Sequence, residues 1–431
     1  MKLFQRLLVA PAALGLMAPM AANADIAPTE VPTEVIEARI DGVESQLGEL
    51  MAGQFSSTTT LSGKAAFVTG YVDDSLQTNA AQGGDEITLN YMYQLDMNHS
   101  FTGDDLLYTR LKAGNFSKEV AKDANANPAV VGNYGRFVNK GNGDYLAAGK
   151  AGDGTLKVDK IWYQFPVGDS LQVWVGPAIE NYYMLASAPS IYKPITKQFA
   201  LGGNASTYGS STSPGFGAAW TQQVDDPSDA RFAISANYTG KGGSDATAGL
   251  LDEDSKEFFL TKVEYGSSQW QVSAAFASKT NGNAYDGYYH TSQGKDYSTD
   301  LTSIGLRAYW KPDETGVVPS VQIGYDMANV DNAASGDPDE MQAWMVGLGW
   351  NDLLIDGNKA GLAFGQRQHA TSFKGGTKTN AYEEDNFVWE AYYTFKINDG
   401  VSVTPAIFGG EDLESDGHEV DGGVILTEFR F

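Results

Sequence analysis

The 431-residue chain contains no cysteine. That excludes a disulfide framework, a thiolate metal site and a cysteine nucleophile. Histidine is almost as scarce: His99, His290, His369 and His418 are scattered without metal-ligand spacing. The sequence carries no nucleophile elbow, phosphate loop or paired-histidine zinc motif. Outside the N-terminus no apolar run approaches the ~20 residues that a membrane-spanning helix needs. Cations are few as well, 29 Lys and Arg against 54 Asp and Glu, for a net charge of −25. Such a chain repels nucleic acid and anionic membrane surfaces.

What is present begins with an address. Lys2 and Arg6 precede an apolar run over 7–22, and Ala22-Asn23-Ala24 is a small-x-small cleavage site before Asp25. The pattern predicts a secretory signal over 1–24, removed on export. Its loss takes two cations away and moves the net charge from −25 to −27. A linker and a short helix are expected over 25–53. Within it Ile36, Ile40, Val43, Leu47 and Leu50 recur in steps of four, three, four and three, with the charged residues off that seam. Just over two heptads do not hold a coil alone. The expectation is a trimeric bundle on the periplasmic side, closing on an oligomer already held by other contacts. The alternative is a helix packed on its own domain.

From Gln54 the period changes to two. Ile87, Leu89, Tyr91, Tyr93, Leu95 and Met97 share one face, while Thr88, Asn90, Gln94 and Asp96 share the other. Sixteen such segments are expected, at 57–72, 86–98, 106–116, 156–166, 171–180, 215–223, 231–239, 257–265, 269–278, 299–310, 317–327, 340–350, 359–368, 386–397, 401–408 and 422–431. Short, turn-rich links alternate with long ones. An even strand number with that asymmetry predicts an all-β fold, a transmembrane antiparallel β-barrel of about sixteen strands over 54–431. Closure lets both an apolar and a polar face persist on every strand. Trp220, Trp270, Trp310, Trp344, Trp350 and Trp389 fall on the outward parity, as interfacial girdles require.

The heptad helix runs into Gln54-Phe55-Ser56-Ser57-Thr58-Thr59-Thr60-Leu61-Ser62-Gly63-Lys64. A hairpin follows at Asp159-Lys160-Ile161-Trp162-Tyr163-Gln164-Phe165-Pro166-Val167 and 171–177, and the chain ends on Phe431. In these features the chain resembles the cyanobacterial outer-membrane porins of the OprB-like, carbohydrate-selective family. The resemblance covers roughly 33–431. It implies a homotrimer in the cell outer membrane, among lipid and lipopolysaccharide, passing ions and small solutes (sugars among them) down their gradients. The missing catalytic and metal-ligand motifs lead to the expectation of no enzyme and no cofactor. A terminal Phe431 resembles the signal read by outer-membrane assembly machinery. Many such porins carry an S-layer homology domain that grips the cell wall. Here only residues 25–32 separate signal and helix, so tethering by that domain is not expected.

The stretch 181–214 is the expected constriction. It has no Asp or Glu, and its only charges are Lys193 and Lys197, beside Tyr192. It reads as a loop folded back into the barrel. Inward parity assigns Lys64, Arg110, Lys112, Lys160, Lys262, Arg307, Arg367, Lys396 and Arg430 to the lumen, with Asp96, Glu180, Glu264, Asp326, Glu390 and Glu428. Nine cations against six anions favour anions or neutral solutes. Trp162 and Trp174 also point inward, each six residues from Gly168, so a symmetric hairpin sets them face to face. They read as a seat for the infolded loop, with a stacking platform for sugar rings as the alternative. Acidic clusters in the outer loops could take calcium or magnesium nonspecifically. A non-conducting structural or adhesion barrel, and an outer-membrane hydrolase, are the rival readings.

Overall fold

A computed structural model describes residues 58–74, 87–116, 146–150, 152–203, 207–209, 212–252, 255–280, 300–333, 335–336, 338–376, 387–411 and 419–431. The chain divides into two units, Met1–Ser57 and Thr58–Phe431. The expected signal, linker and heptad seam (Ile36, Ile40, Val43, Leu47 and Leu50) lie outside the described residues.

Strands run β1 Thr59–Asp74, β2 Thr88–His99, β3 Leu106–Gly114, β4 Lys157–Val167, β5 Leu171–Ile179, β6 Ser213–Thr221, β7 Arg231–Lys241 and β8 Lys256–Gly266. They continue as β9 Trp270–Lys279, β10 Asp300–Trp310, β11 Ser320–Asp331, β12 Pro338–Asn351, β13 Lys359–Phe373, β14 Phe387–Asn398, β15 Val401–Glu411 and β16 Glu419–Arg430. Each pairs antiparallel with its neighbours in sequence, and β1 pairs with β16. The result is a closed, all-β, sixteen-stranded barrel. Closure removes the free edge, so backbone donors and acceptors of the wall are satisfied by neighbouring strands.

Alternation decides which side each residue takes. In β8 Phe259 and Val263 are exposed on the outside, while Lys262 and Glu264 are buried within. The outer face carries Phe67, Phe216, Ile234, Phe276, Ile304, Ile323, Ile407 and Ile425, all exposed. An apolar band of that extent is stable against lipid, not water. Toward the short turns the band becomes aromatic. Trp270 lies directly opposite Trp310 on the next strand, and Tyr265 packs on Phe232 and Trp270 at centroid distances of 4.4 and 5.6 Å. Amphipathic rings at that level suit the membrane–water boundary.

Two details of the wall could not be read from alternation. The β4–β5 hairpin turns over residues 168–170 and centres on Asp169, with Gly168 at φ 64°. Trp174 therefore lies opposite Gln164 and donates to its Oε1 at 2.9 Å. Trp162 lies over Gly176 instead. The two tryptophans do not face each other, because a hairpin symmetric about Gly168 is displaced by one residue. In β4 a register shift opposite Arg110 and Leu111 brings Asp159 to the same side as Lys160, which strict alternation forbids.

The C-terminus closes the seam. Phe431 and Gly63 exchange backbone hydrogen bonds of 2.7 and 3.0 Å, and the Phe431 ring stacks on Tyr93 at 6.1 Å. Gly63 is required there, since a Cβ would sit 2.5 Å from the Phe431 ring. Phe431→Ala keeps the backbone bonds but loses the ring contact, and should cost about 1 kcal/mol of folded-barrel stability. Thermal melting of the detergent-folded protein measures this.

The β2–β3 turn is organised by Asp105. Its Oδ1 accepts from Ser100 Oγ, Phe101 N, Thr102 N and Thr102 Oγ1 at 2.8–2.9 Å, and its Oδ2 from the Tyr163 hydroxyl at 2.6 Å. The Tyr163 bond, above the turn donors, holds this carboxyl well below the usual carboxylate range. A lowered folded pKa stabilises above the unfolded value, about 3.9, and the contribution is lost as pH falls through the folded value. Asp105→Asn should therefore melt lower than the native chain at pH 7. That gap should narrow as melts are repeated below about pH 4.

Candidate functional site

Between β5 and β6 the chain makes its most extensive excursion among the described residues, over 180–212. Its course is fixed by inward side chains of strands from β7, next to its own, round to β14. Asn181 donates to Asn237 Oδ1 at 2.7 Å and accepts from Thr239 Oγ1 at 2.8 Å, both on β7. Ala186 N donates to Ser235 Oγ. Lys262 on β8 donates to Ser187 O and Oγ at 3.1 and 2.8 Å, and Ser187 Oγ donates to Glu264 at 2.9 Å. Ile191 N donates to Gln322 Oε1 of β11.

The far anchor is Glu390 on β14, whose side chain is fully buried. Its Oε1 accepts from the Tyr192 hydroxyl at 2.9 Å and Ile195 N at 3.0 Å. Its Oε2 accepts from Thr196 N and Oγ1 at 2.8 and 2.6 Å. Around the ring β14 is nine strands from β5 in one direction and seven in the other. The loop therefore crosses the lumen. A second connection joins it there: Ala147 N donates to Ile195 O at 2.7 Å.

The return path lies on β10 and β11. Arg307 donates from Nε to Leu201 O at 3.0 Å and from Nη2 to Asp326 at 2.7 Å, with the Tyr208 ring 5.0 Å away. Glycine makes the approach possible. A Cβ on Gly324 would lie 1.6 Å from Gly202 O, and one on Gly347 2.8 Å from the Tyr192 ring. Gly305, Gly324 and Gly347 on three adjacent strands thus make room for the Thr207 side chain, the Gly202 backbone and the Tyr192 ring of the loop, respectively.

The inward residues accordingly fall into two sets. Lys160, Arg307, Trp162, Trp174 and Glu390 point inward, but all are buried beneath or against connecting segments and do not line open space. This corrects the expectation that they line the pore. Parity tells which face a residue takes, not what comes to cover it. Lys160 pairs with Glu180 at 3.1 Å, and Arg307 with Asp326. The tryptophans pack with Ile179, Met184 and Tyr183, so they do seat the loop. Arg110 is held by Asp159 and by the Tyr183 hydroxyl. Arg367 stands by a register shift in β13, and its side chain lies outside the described residues.

The second set faces a cavity of about 780 Å³ at the short-turn end. Its charged lining is Lys64, Lys193, Lys359, Lys396 and Arg430, against Asp399 and Glu428 only. Lys193 is exposed, and its carbonyl accepts from the Tyr392 hydroxyl at 2.8 Å. Lys197 is half-buried at the start of the 3-10 turn Lys197–Gly202 and is not part of this lining. The two loop lysines do not act from one place. Lys359 escaped the sequence reading although it shares a strand face with the cavity, and its place near the β13 start was the available signal. Nothing in sequence marked Asp159 or the three glycines.

No protein-family model matches the chain. Two cyanobacterial relatives do. The uncharacterized protein alr4550 of Nostoc is 25% identical, over 92% of this chain and 69% of its own length. The uncharacterized protein sll0772 of Synechocystis is 24% identical, over 91% and 72%. Among solved structures, Salmonella typhi OmpF in complex with daunomycin aligns over 86% of this chain and 97% of its own at TM-score 0.53, with 10% identity. Vibrio cholerae OmpT, an outer membrane protein in its trimer form, aligns over 87% and 99% at TM-score 0.50, with 12% identity. The chain has a porin-like barrel.

Glu390→Leu removes the acceptor for four loop donors and leaves them buried without partners. Breaking such an anchor should cost at least about 3 kcal/mol. The loop should then be cut by added protease under conditions where the native chain is resistant. Mass spectrometry of the fragments locates the cleavage.

Proposed function

We propose that this protein is an outer-membrane diffusion porin. In this reading it passes inorganic ions and small hydrophilic solutes through a lumen narrowed by residues 180–212. The observation that carries the reading is the Glu390 anchor, which holds a loop from β5 against the opposite wall and leaves a charged cavity beside it. A purely structural barrel has no need of a pinned loop next to an open, charged passage. The apolar outer band and the porin-like fold support a place in the membrane. The Vibrio protein's trimer form and the heptad seam Ile36–Leu50 support a homotrimer. Membership of the OprB-like group remains part of the proposal, and it adds small sugars to the solutes. Neither Trp162 nor Trp174 is open to stack on them.

The loop separates the charges of the wall. On its side, Lys262 and Arg307 are neutralised by Glu264 and Asp326. On the other, the cavity keeps five cations against two anions, which lowers the barrier for anions. Planar-bilayer recordings test the whole reading: stable single channels support it, and a folded barrel without conductance overturns it. Lys193→Glu changes the charge in the cavity by two units. At roughly 6 Å in water, half screened by salt, that shifts the anion and the cation in opposite directions by about 0.7 kcal/mol each, and should lower the anion-to-cation permeability ratio about tenfold. Reversal potentials in a salt gradient measure the shift. Lys197→Glu, away from the cavity, should move it less.

A further inference from the structure

The registers of neighbouring strands connect the cavity's cations into a longer array. Lys359 on β13 lies opposite Thr394 on β14, and two residues along the same face Lys396 lies opposite Ser402 on β15. Ser402 faces Glu428 on β16, and two residues beyond it Arg430 faces Lys64 on β1. From Lys64 the row continues through Gln94 on β2 to Lys112 on β3 and Lys157 on β4. Such rows run perpendicular to the strands, and barrel strands tilt by roughly 35–45° to the axis. The row is therefore a ramp. It begins at the short turns, at Lys359, and climbs toward the long loops at Lys157.

Carboxylates are sparse along it. Lys64 and Arg430 share Glu428 at 3.8 and 3.5 Å, and Lys396 meets the exposed Asp399 at 2.8 Å. Lys112, Lys157, Lys193 and Lys359 have no ion pair among the described residues. Between the cations stand the hydroxyls of Thr394 and Ser402, while Gln94 gives its amide hydrogens to Asp96 at 2.8 and 3.1 Å. Lys193 faces the lower end of the ramp from the loop. A monovalent anion gains once from each such cation, and a divalent anion twice, in a space where walls limit the screening water. Ammonium groups with hydroxyls between them suit the tetrahedral oxygens of an oxyanion.

We infer that this ramp is a binding track for small polyvalent oxyanions of the phosphate and sulfate class, which it holds in transit and conducts. The inference rests on the diffusion-porin reading and names a substrate class for it. Bound polyvalent anion occupies the passage, so it slows the flow of chloride until it leaves.

The test is chloride current through the full-length protein in planar bilayers at low salt, with inorganic phosphate or sulfate added in steps. Native channels should show saturable block. In the double variant Lys193→Gln, Lys359→Gln the half-blocking concentration should rise about tenfold, from the loss of two lysines roughly 7 Å from a divalent ion. Lys374→Gln, on an exposed turn at the long-loop end, should leave the block as in the native chain. Chloride current that phosphate and sulfate do not block, or block equally in the double variant, overturns the binding track and leaves the porin standing. A folded barrel that passes no chloride overturns both.

Discussion

The arrangement of the lumen depends on one buried carboxylate. Glu390 lies on the wall opposite the loop's own strands, fully covered, and accepts four hydrogen bonds from Tyr192, Ile195 and Thr196. A carboxylate out of water is costly unless its lone pairs are taken up. Here the loop takes them up, two donors to each oxygen. The wall in turn satisfies the backbone N–H groups of Ile195 and Thr196. Each side needs the other, so the loop has one position and not many.

The rest of the loop's course follows from space and charge together. Gly305, Gly324 and Gly347 remove side chains from three neighbouring strands, and Thr207, the Gly202 backbone and the Tyr192 ring of the loop fill the room they leave. Arg307 then reaches Leu201 O while its other end meets Asp326. Lys262 reaches Ser187 beside Glu264 in the same manner. Charges on this half of the wall are consumed in holding the loop.

The opposite half is left open, and the same division makes it electropositive. A chain with net charge −25 keeps a cavity with five cations and two anions because only Asp399 and Glu428 of its 54 acidic residues are in that lining. Overall charge and local potential are different quantities. Only the latter acts on an ion inside a narrow passage.

The barrel itself was legible in the sequence. Period-two alternation is a local property, and sixteen segments with short and long links in turn leave few architectures besides a closed antiparallel wall. Which face Lys64 or Glu390 takes followed from the same count. What covers that face did not. The bulge that turns Asp159 inward, the one-residue offset that separates Trp162 from Trp174, and the burial of Lys160 and Arg307 come from contacts between distant segments. So does the different setting of Lys193 and Lys197, four residues apart and alike in composition. By itself the sequence determined the wall, because alternation repeats along each strand and needs no partner to be read. The tertiary structure alone decided which inward charges meet water, because that depends on where a loop from one side of the ring finds hydrogen-bond acceptors on the other.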